Sequence, residues 1–143
     1  MKLDELNFTA AYKCRLDPLG GISLLEKLDS HPNDNAEGVY VVMSGEEIAY
    51  IGSYENGLHK RWGYKQKDAI YHFKNVEISG AISAGRLVEV WALSLDSIKE
   101  QIGCATNKWI NSASVEAHLI AKYNPPWNKQ GKHWTDSHLQ VYQ

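Results

Sequence analysis

The run Gly38-Val39-Tyr40-Val41-Val42-Met43-Ser44-Gly45-Glu46-Glu47-Ile48-Ala49-Tyr50-Ile51-Gly52 decides how this chain is read. Val39 to Met43 are all apolar or aromatic, the composition of a buried strand, and Ile48 to Ile51 repeat it. Between them Ser44-Gly45-Glu46-Glu47 is short, polar and supplied with a glycine, so the two runs predict an antiparallel hairpin.

Upstream, residues 1–37 carry a short helical pattern around Ile22, Leu24, Leu25 and Leu28. They end in the turn-rich Ser30-His31-Pro32-Asn33-Asp34-Asn35. This predicts an N-terminal extension packed on a core that starts at Gly38. Downstream, the chain becomes polar and then helical through Leu58, Arg61 and Trp62, with a further helical stretch near Ile70 to Ile82. Leu87-Val88-Glu89-Val90-Trp91-Ala92-Leu93 predicts a third strand. Ser112 to Tyr123 has serines able to cap a helix and good helical spacing, and it stops before Pro125-Pro126. The expected architecture is α+β: a small three-stranded, mainly antiparallel sheet flanked by helices, with 131–143 as a C-terminal tail.

Length and composition, 143 residues with 43% hydrophobic, suit one ordinary core. No apolar run approaches the roughly 18 residues of a membrane span, and Met1-Lys2-Leu3-Asp4-Glu5 lacks a signal-peptide core. A cytoplasmic protein with no membrane partner is expected. Cys14 and Cys104 form no paired metal-ligand spacing and are read as reduced and structural. The net charge of −2 conceals an asymmetry. Residues 1–47 hold 9 acids and 4 bases (−5), and the other 96 hold 8 acids and 11 bases (+3). The cations gather in Lys60, Arg61, Lys65, Lys67 and Lys74 and again in Lys122, Lys129 and Lys132, which permits a basic face able to meet phosphate.

Gly38-Val39-Tyr40 and Tyr50-Ile51-Gly52, with nine residues between the tyrosines, resemble the paired half-motifs of the GIY-YIG nucleases. The order of later residues is similar too. Arg61 follows in the helical His59-Lys60-Arg61-Trp62, Glu116 lies on a later helix, and Asn128 closes Asn124-Pro125-Pro126-Trp127-Asn128. The resemblance spans residues 38–130. It implies a nuclease domain with Tyr40, Tyr50, Arg61, Glu116 and Asn128 as catalytic residues and Glu116 as the ligand of Mg²⁺ or Mn²⁺. Gly38, Val39, Ile51 and Gly52 are its structural motif. Two positions depart from the family's pattern: Ser53 stands where Lys or Gln is common, and Lys65 where many members carry histidine. That leaves any general-base role to Tyr40.

The residue types suit the chemistry. Hydrolysis of an anionic phosphodiester needs cations at the non-bridging oxygens and an activated water in line. Arg61 offers a permanent planar fork, and Lys65 or Lys74 adds point charge. Glu116 shares its helical stripe with Leu119, Ile120 and Tyr123, where a carboxylate needs a cation or a hydrogen-bond network. One Mg²⁺ that keeps several waters would satisfy it. A phenol of ordinary pKa is a poor base at neutral pH, so Tyr40 is expected to be tuned downward by nearby Arg or Lys charge. Lys60, Lys65, His72, Lys74, Arg86 and Trp127 are the candidate DNA contacts. Double-stranded DNA is the expected partner, and a homodimer or homotetramer the expected assembly for cutting both strands. The expected function is a restriction or phage-type, DNA-degrading endonuclease. A non-catalytic DNA- or protein-binding domain and a repair or recombination nickase are the alternatives.

Overall fold

Residues 38–54 form the expected hairpin, and it lies at one side of a five-stranded antiparallel sheet. The computed structural model describes residues 1–16, 23–32, 34–62 and 74–128. In chain order the elements are β1 (Lys2–Leu3), β2 (Leu6–Asn7), β3 (Thr9–Leu16), β4 (Ser23–Lys27), β5 (Gly38–Ser44) and β6 (Glu47–Tyr54). They continue with α1 (Leu58–Trp62), α2 (Asn75–Ser83), β7 (Val88–Ser94), α3 (Leu95–Gln101) and α4 (Ser112–Tyr123). The strand order is β4-β3-β7-β5-β6, which leaves β6 as an edge, and β1 and β2 form a small separate ladder.

The expectation of three strands is corrected to five, because β3 and β4 extend the sheet beyond β7. The helical pattern around Leu24, Leu25 and Leu28 is likewise corrected: Ser23–Lys27 is a strand, paired from Tyr12↔Lys27 to Leu16↔Ser23. Five residues are too few for a period to be decisive, and the long-range ladder with β3 overrides the local pattern.

Alternation along β5 and β6 divides the apolar residues between two layers. Tyr40, Val42, Tyr50 and Tyr54 face Leu58, Trp62 and Ile78 of α1 and α2. Val39, Val41 and Ile51 face Ile98 and Leu119 of α3 and α4. Because both faces of β5 are covered, its sequence is continuously apolar instead of alternating. At the hairpin tip, Ser44 pairs with Glu47 around Gly45-Glu46, and Gly45 takes φ 62°, a region that favours glycine. The register slips once, between Val42 and Met43, so that Ala49 is the extra residue just before Tyr50.

Helix α4 begins as expected, but its cap is Asn111, whose side chain accepts from the Ser114 backbone N–H at 2.8 Å. Ser112 serves elsewhere, donating to Glu37 Oε2 at 2.7 Å and so tying the start of α4 to the residue before β5. The helix ends at Asn124, left-handed with φ 49°, before the two prolines. Both cysteines are free thiols. Among the described residues no helix is long and apolar enough to cross a membrane.

Candidate active site

The two motif glycines are explained by the tyrosines opposite them. In the β5–β6 register Tyr40 faces Gly52 and Gly38 faces Tyr54. A Cβ on Gly52 would lie 2.3 Å from both Cζ and Oη of Tyr40, and one on Gly38 would lie 2.4 Å from Tyr54 Oη and from the Leu93 carbonyl oxygen. Each phenol thus lies across a strand position that only glycine leaves open. Gly52→Ala is therefore expected to displace the Tyr40 ring, destabilising the fold by about 1–3 kcal/mol through overpacking. A thermal melt checks this: a variant as stable as the parent would show that the ring is not held there.

Tyr40 is fully buried at the centre of β5. Its ring centroid is 5.3 Å from that of Trp62 in an edge-to-face contact and 6.1 Å from that of Tyr50, tilted by 31°. These aromatic contacts, with the glycine beneath, leave the phenol one position. Lys74 is buried too, with Nζ 5.5 Å above the Tyr50 ring centroid, a cation–π approach. Arg61, half-buried on α1, lies within hydrogen-bond reach of the Tyr40 hydroxyl and near enough to Tyr50 and Glu116 to act on the charge of each.

Glu116 enters from the other side. Half-buried on α4, it accepts a hydrogen bond from Ser53 Oγ at 3.2 Å. Ser53, one of the two departures from the family's pattern, is thus the residue that holds the carboxylate. Asn128 closes the edge of the sheet: its Oδ1 accepts from the Ile51 N–H and its Nδ2 donates to the Ile51 carbonyl, both at 2.8 Å. The amide stands in for the missing neighbour strand of β6. It fixes the backbone between Tyr50 and Gly52.

Electrostatically the site is cationic around neutral phenols. Burial raises the Tyr40 phenol well above the ordinary tyrosine value, and neighbouring Tyr50 and Glu116 add to this; Arg61 pulls it back only in part. Burial likewise pushes Tyr50 up to about 12. The expectation of a lowered Tyr40 is therefore corrected, because desolvation outweighs the guanidinium. Burial also raises Glu116 above the usual carboxylate range, while the Ser53 hydrogen bond and Arg61 oppose it. A half-buried carboxylate with an unfavourable desolvation balance suits a hard cation that keeps its own waters. Among the described residues no group of three His, Cys, Asp or Glu side chains comes together.

The structure therefore brings Tyr40, Tyr50, Arg61, Glu116 and Asn128 to one edge of the sheet. The DNA-contact candidates divide. Lys60 is exposed. Arg86 pairs with Glu47 at 3.6 Å near the hairpin tip. Trp127 is 9% exposed and packs in the core cluster that contains Tyr40, so its ring supports the site and is not offered to a groove. Lys74 is turned onto Tyr50. Lys65 and His72 lie outside the described residues. Lys122, counted among the basic residues, is paired with Asp4. Sequence reasoning missed Trp62 as the wall behind Tyr40 and Ser53 as the partner of Glu116. Only the adjacency of Trp62 to Arg61 could have pointed to the first.

Comparison with known proteins shows a member of the GIY-YIG endonuclease family. The particular relative is Endonuclease II of Enterobacteria phage T4: the chain is 31% identical to it over 137 residues, covering 90% of this chain and 94% of the relative. The chain belongs to that family. A solved structure of a glutamate-to-alanine mutant of bacteriophage T4 EndoII matches at 22% sequence identity and a TM-score of 0.49, covering 84% of this chain and 90% of that one. No family model matches.

Proposed function

We propose that this protein is a metal-dependent endonuclease that hydrolyses phosphodiester bonds in double-stranded DNA, as a restriction or phage-type, DNA-degrading enzyme. The observation that supports it most is the meeting of Arg61 and Glu116 with two buried tyrosine hydroxyls at one sheet edge. A binding module needs cations for phosphate, but it has no use for a partly desolvated carboxylate among them.

Arg61 holds a non-bridging phosphate oxygen through its fork and keeps that charge in the transition state. Glu116, positioned by Ser53, would hold Mg²⁺ or Mn²⁺, which supplies Lewis-acid polarisation of the phosphate. Tyr50, 8% exposed with its ring 6.1 Å from that of Tyr40, has the hydroxyl that orients the attacking water. Tyr40 first gives up its own proton to solvent, with Arg61 beside it to stabilise the phenolate, and that phenolate then takes the proton of the attacking water and returns to the phenol. Asn128 and Gly52 keep the two phenols in register. One such site cuts one strand, so a homodimer or homotetramer would sever a duplex. Incubation with supercoiled plasmid and Mg²⁺, followed by mapping of the ends, tests the reading. Nicked and then linear products are expected, and a plasmid that stays intact would defeat it.

Phosphate contact also makes a quantitative forecast. In a cleavage-dead Glu116→Gln background, DNA affinity should fall steeply with salt. Lys60→Ala should lower the log–log slope by about 0.9, the share of one neutralised phosphate. Glu46→Gln, at the hairpin tip, should leave it unchanged. Fluorescence anisotropy across a salt series measures both, and equal effects from the two would rule out a DNA-facing role for Lys60.

A further inference from the structure

Trp109 is 89% exposed, the largest apolar side chain left in solvent among the described residues. A tryptophan in water contributes nothing to the core, although its ring is among the strongest contact groups a protein can offer. It lies in the connection from α3 to α4, and that connection is built. The Trp109 N–H donates to Asn107 Oδ1 at 2.7 Å, the Asn107 N–H to the Cys104 carbonyl at 2.9 Å, and the Cys104 N–H to the Lys99 carbonyl at 2.8 Å. The ring is thus presented on a backbone already fixed, which lowers the entropy lost on contact. It lines one hollow together with Cys104, Thr106, Asn107 and Lys108. Lys108 is exposed, and no ion pair found among the described residues takes up its charge.

Position relates this loop to the site. Glu116 is four residues into α4 from Ser112, about 6 Å at the helical rise, and Trp109 is three residues before Ser112, at most about 11 Å of extended chain. The two backbones are therefore within about 17 Å, roughly five base steps of about 3.4 Å along one strand. A duplex whose scissile phosphate lies at Glu116 extends past that distance in both directions. A rigid aromatic ring beside a free cation fits such a duplex: aromatic wedges and stacking rings engage bases, and a neighbouring cation takes the phosphate. Thr106, Asn107 and Lys108 give the hollow that Trp109 shares hydrogen-bonding groups and one cation beside its apolar surface, which suits a polyanionic partner.

We propose that Trp109 and Lys108 form a second DNA contact, within about five steps of the cut, with Trp109 against a base exposed in a groove and Lys108 on the adjoining phosphate. This rests on the nuclease reading above. The test measures duplex affinity by anisotropy in the Glu116→Gln background, alongside cleavage in the active protein. Trp109→Ala should weaken duplex binding by about 5- to 100-fold, the range of one lost base contact. It should leave the salt slope and the melting temperature as they were. Trp109→Phe should recover most of the loss, and Lys108→Ala should lower the slope by about 0.9. Wild-type affinity and cleavage with Trp109→Ala would overturn the proposal and leave the nuclease reading standing. A loss accompanied by a change of oligomeric state in light scattering would overturn it in favour of a contact between copies. Absence of duplex binding and cleavage by the unaltered protein would overturn both.

Discussion

Glu116→Gln is expected to lower DNA cleavage by about 10²–10³-fold or more, while raising the melting temperature of the metal-free protein at neutral pH. Two consequences of one environment move in opposite directions. Burial raises the Glu116 carboxyl above its ordinary value of 4.5. A group raised in this way favours the fold in its protonated form, so its contribution is full below the unfolded value and is lost as pH rises through the folded one. At neutral pH the ionised carboxylate is therefore a cost that the fold carries. Glutamine removes that cost and can still accept the hydrogen bond from Ser53 Oγ. The gain in melting temperature should shrink as pH falls and vanish near pH 4, where both states of the parent are mostly protonated. Melts across pH without metal, set beside single-turnover cleavage with Mg²⁺, measure the two halves. Unchanged cleavage would remove Glu116 from the site, and a loss of stability at neutral pH would contradict the assigned desolvation.

Tyr40→Phe carries the second large effect. The change removes one hydroxyl and leaves the ring against Trp62 and over Gly52, so packing is retained. The hydrogen bond accepted from Arg61 is lost, at about 1 kcal/mol for one partner, and the melting temperature should move only slightly. Cleavage should fall by about 10²–10⁴-fold if Tyr40 takes the proton of the attacking water. Because burial holds both phenols protonated through the neutral range, Tyr40 cannot be a free phenolate waiting for substrate. Its proton leaves only as positive charge assembles around it, and Arg61 is the resident part of that charge. Rates of the variant and parent under single-turnover conditions decide the point. A parent-like rate would transfer proton acceptance to another group.

The sequence made the hairpin, β7 and α4 legible because each carries its own signal: a continuous β-branched run, a short glycine turn, or helical spacing ended by two prolines. It made the site residues legible only through their order along the chain. What it hid was non-local. β4 is five residues long and takes its conformation from β3, so its leucines read equally as a helical stripe. α3 went unread although Ser94 caps it, accepting from the Ser97 N–H at 3.2 Å, a signal that was present and missed. Trp127 and Lys74 look like surface groups in sequence, and only the packing of α1 and α2 on Tyr40 and Tyr50 shows them buried. The sign of the Tyr40 shift was hidden for the same reason: charge is visible in a sequence, whereas desolvation is a property of the folded surroundings. Asn128 was found by resemblance, but its place on both Ile51 backbone groups follows from β6 being an edge strand.

The central claim is that a divalent cation at Glu116 makes this sheet edge a hydrolytic centre. Its most direct test is cleavage of a labelled DNA duplex by the unaltered protein, first stripped of metal with a chelator and then given excess Mg²⁺. Cleavage should be absent under chelation and return with Mg²⁺ in proportion to its occupancy. Cleavage at the same rate with the chelator present would contradict the account.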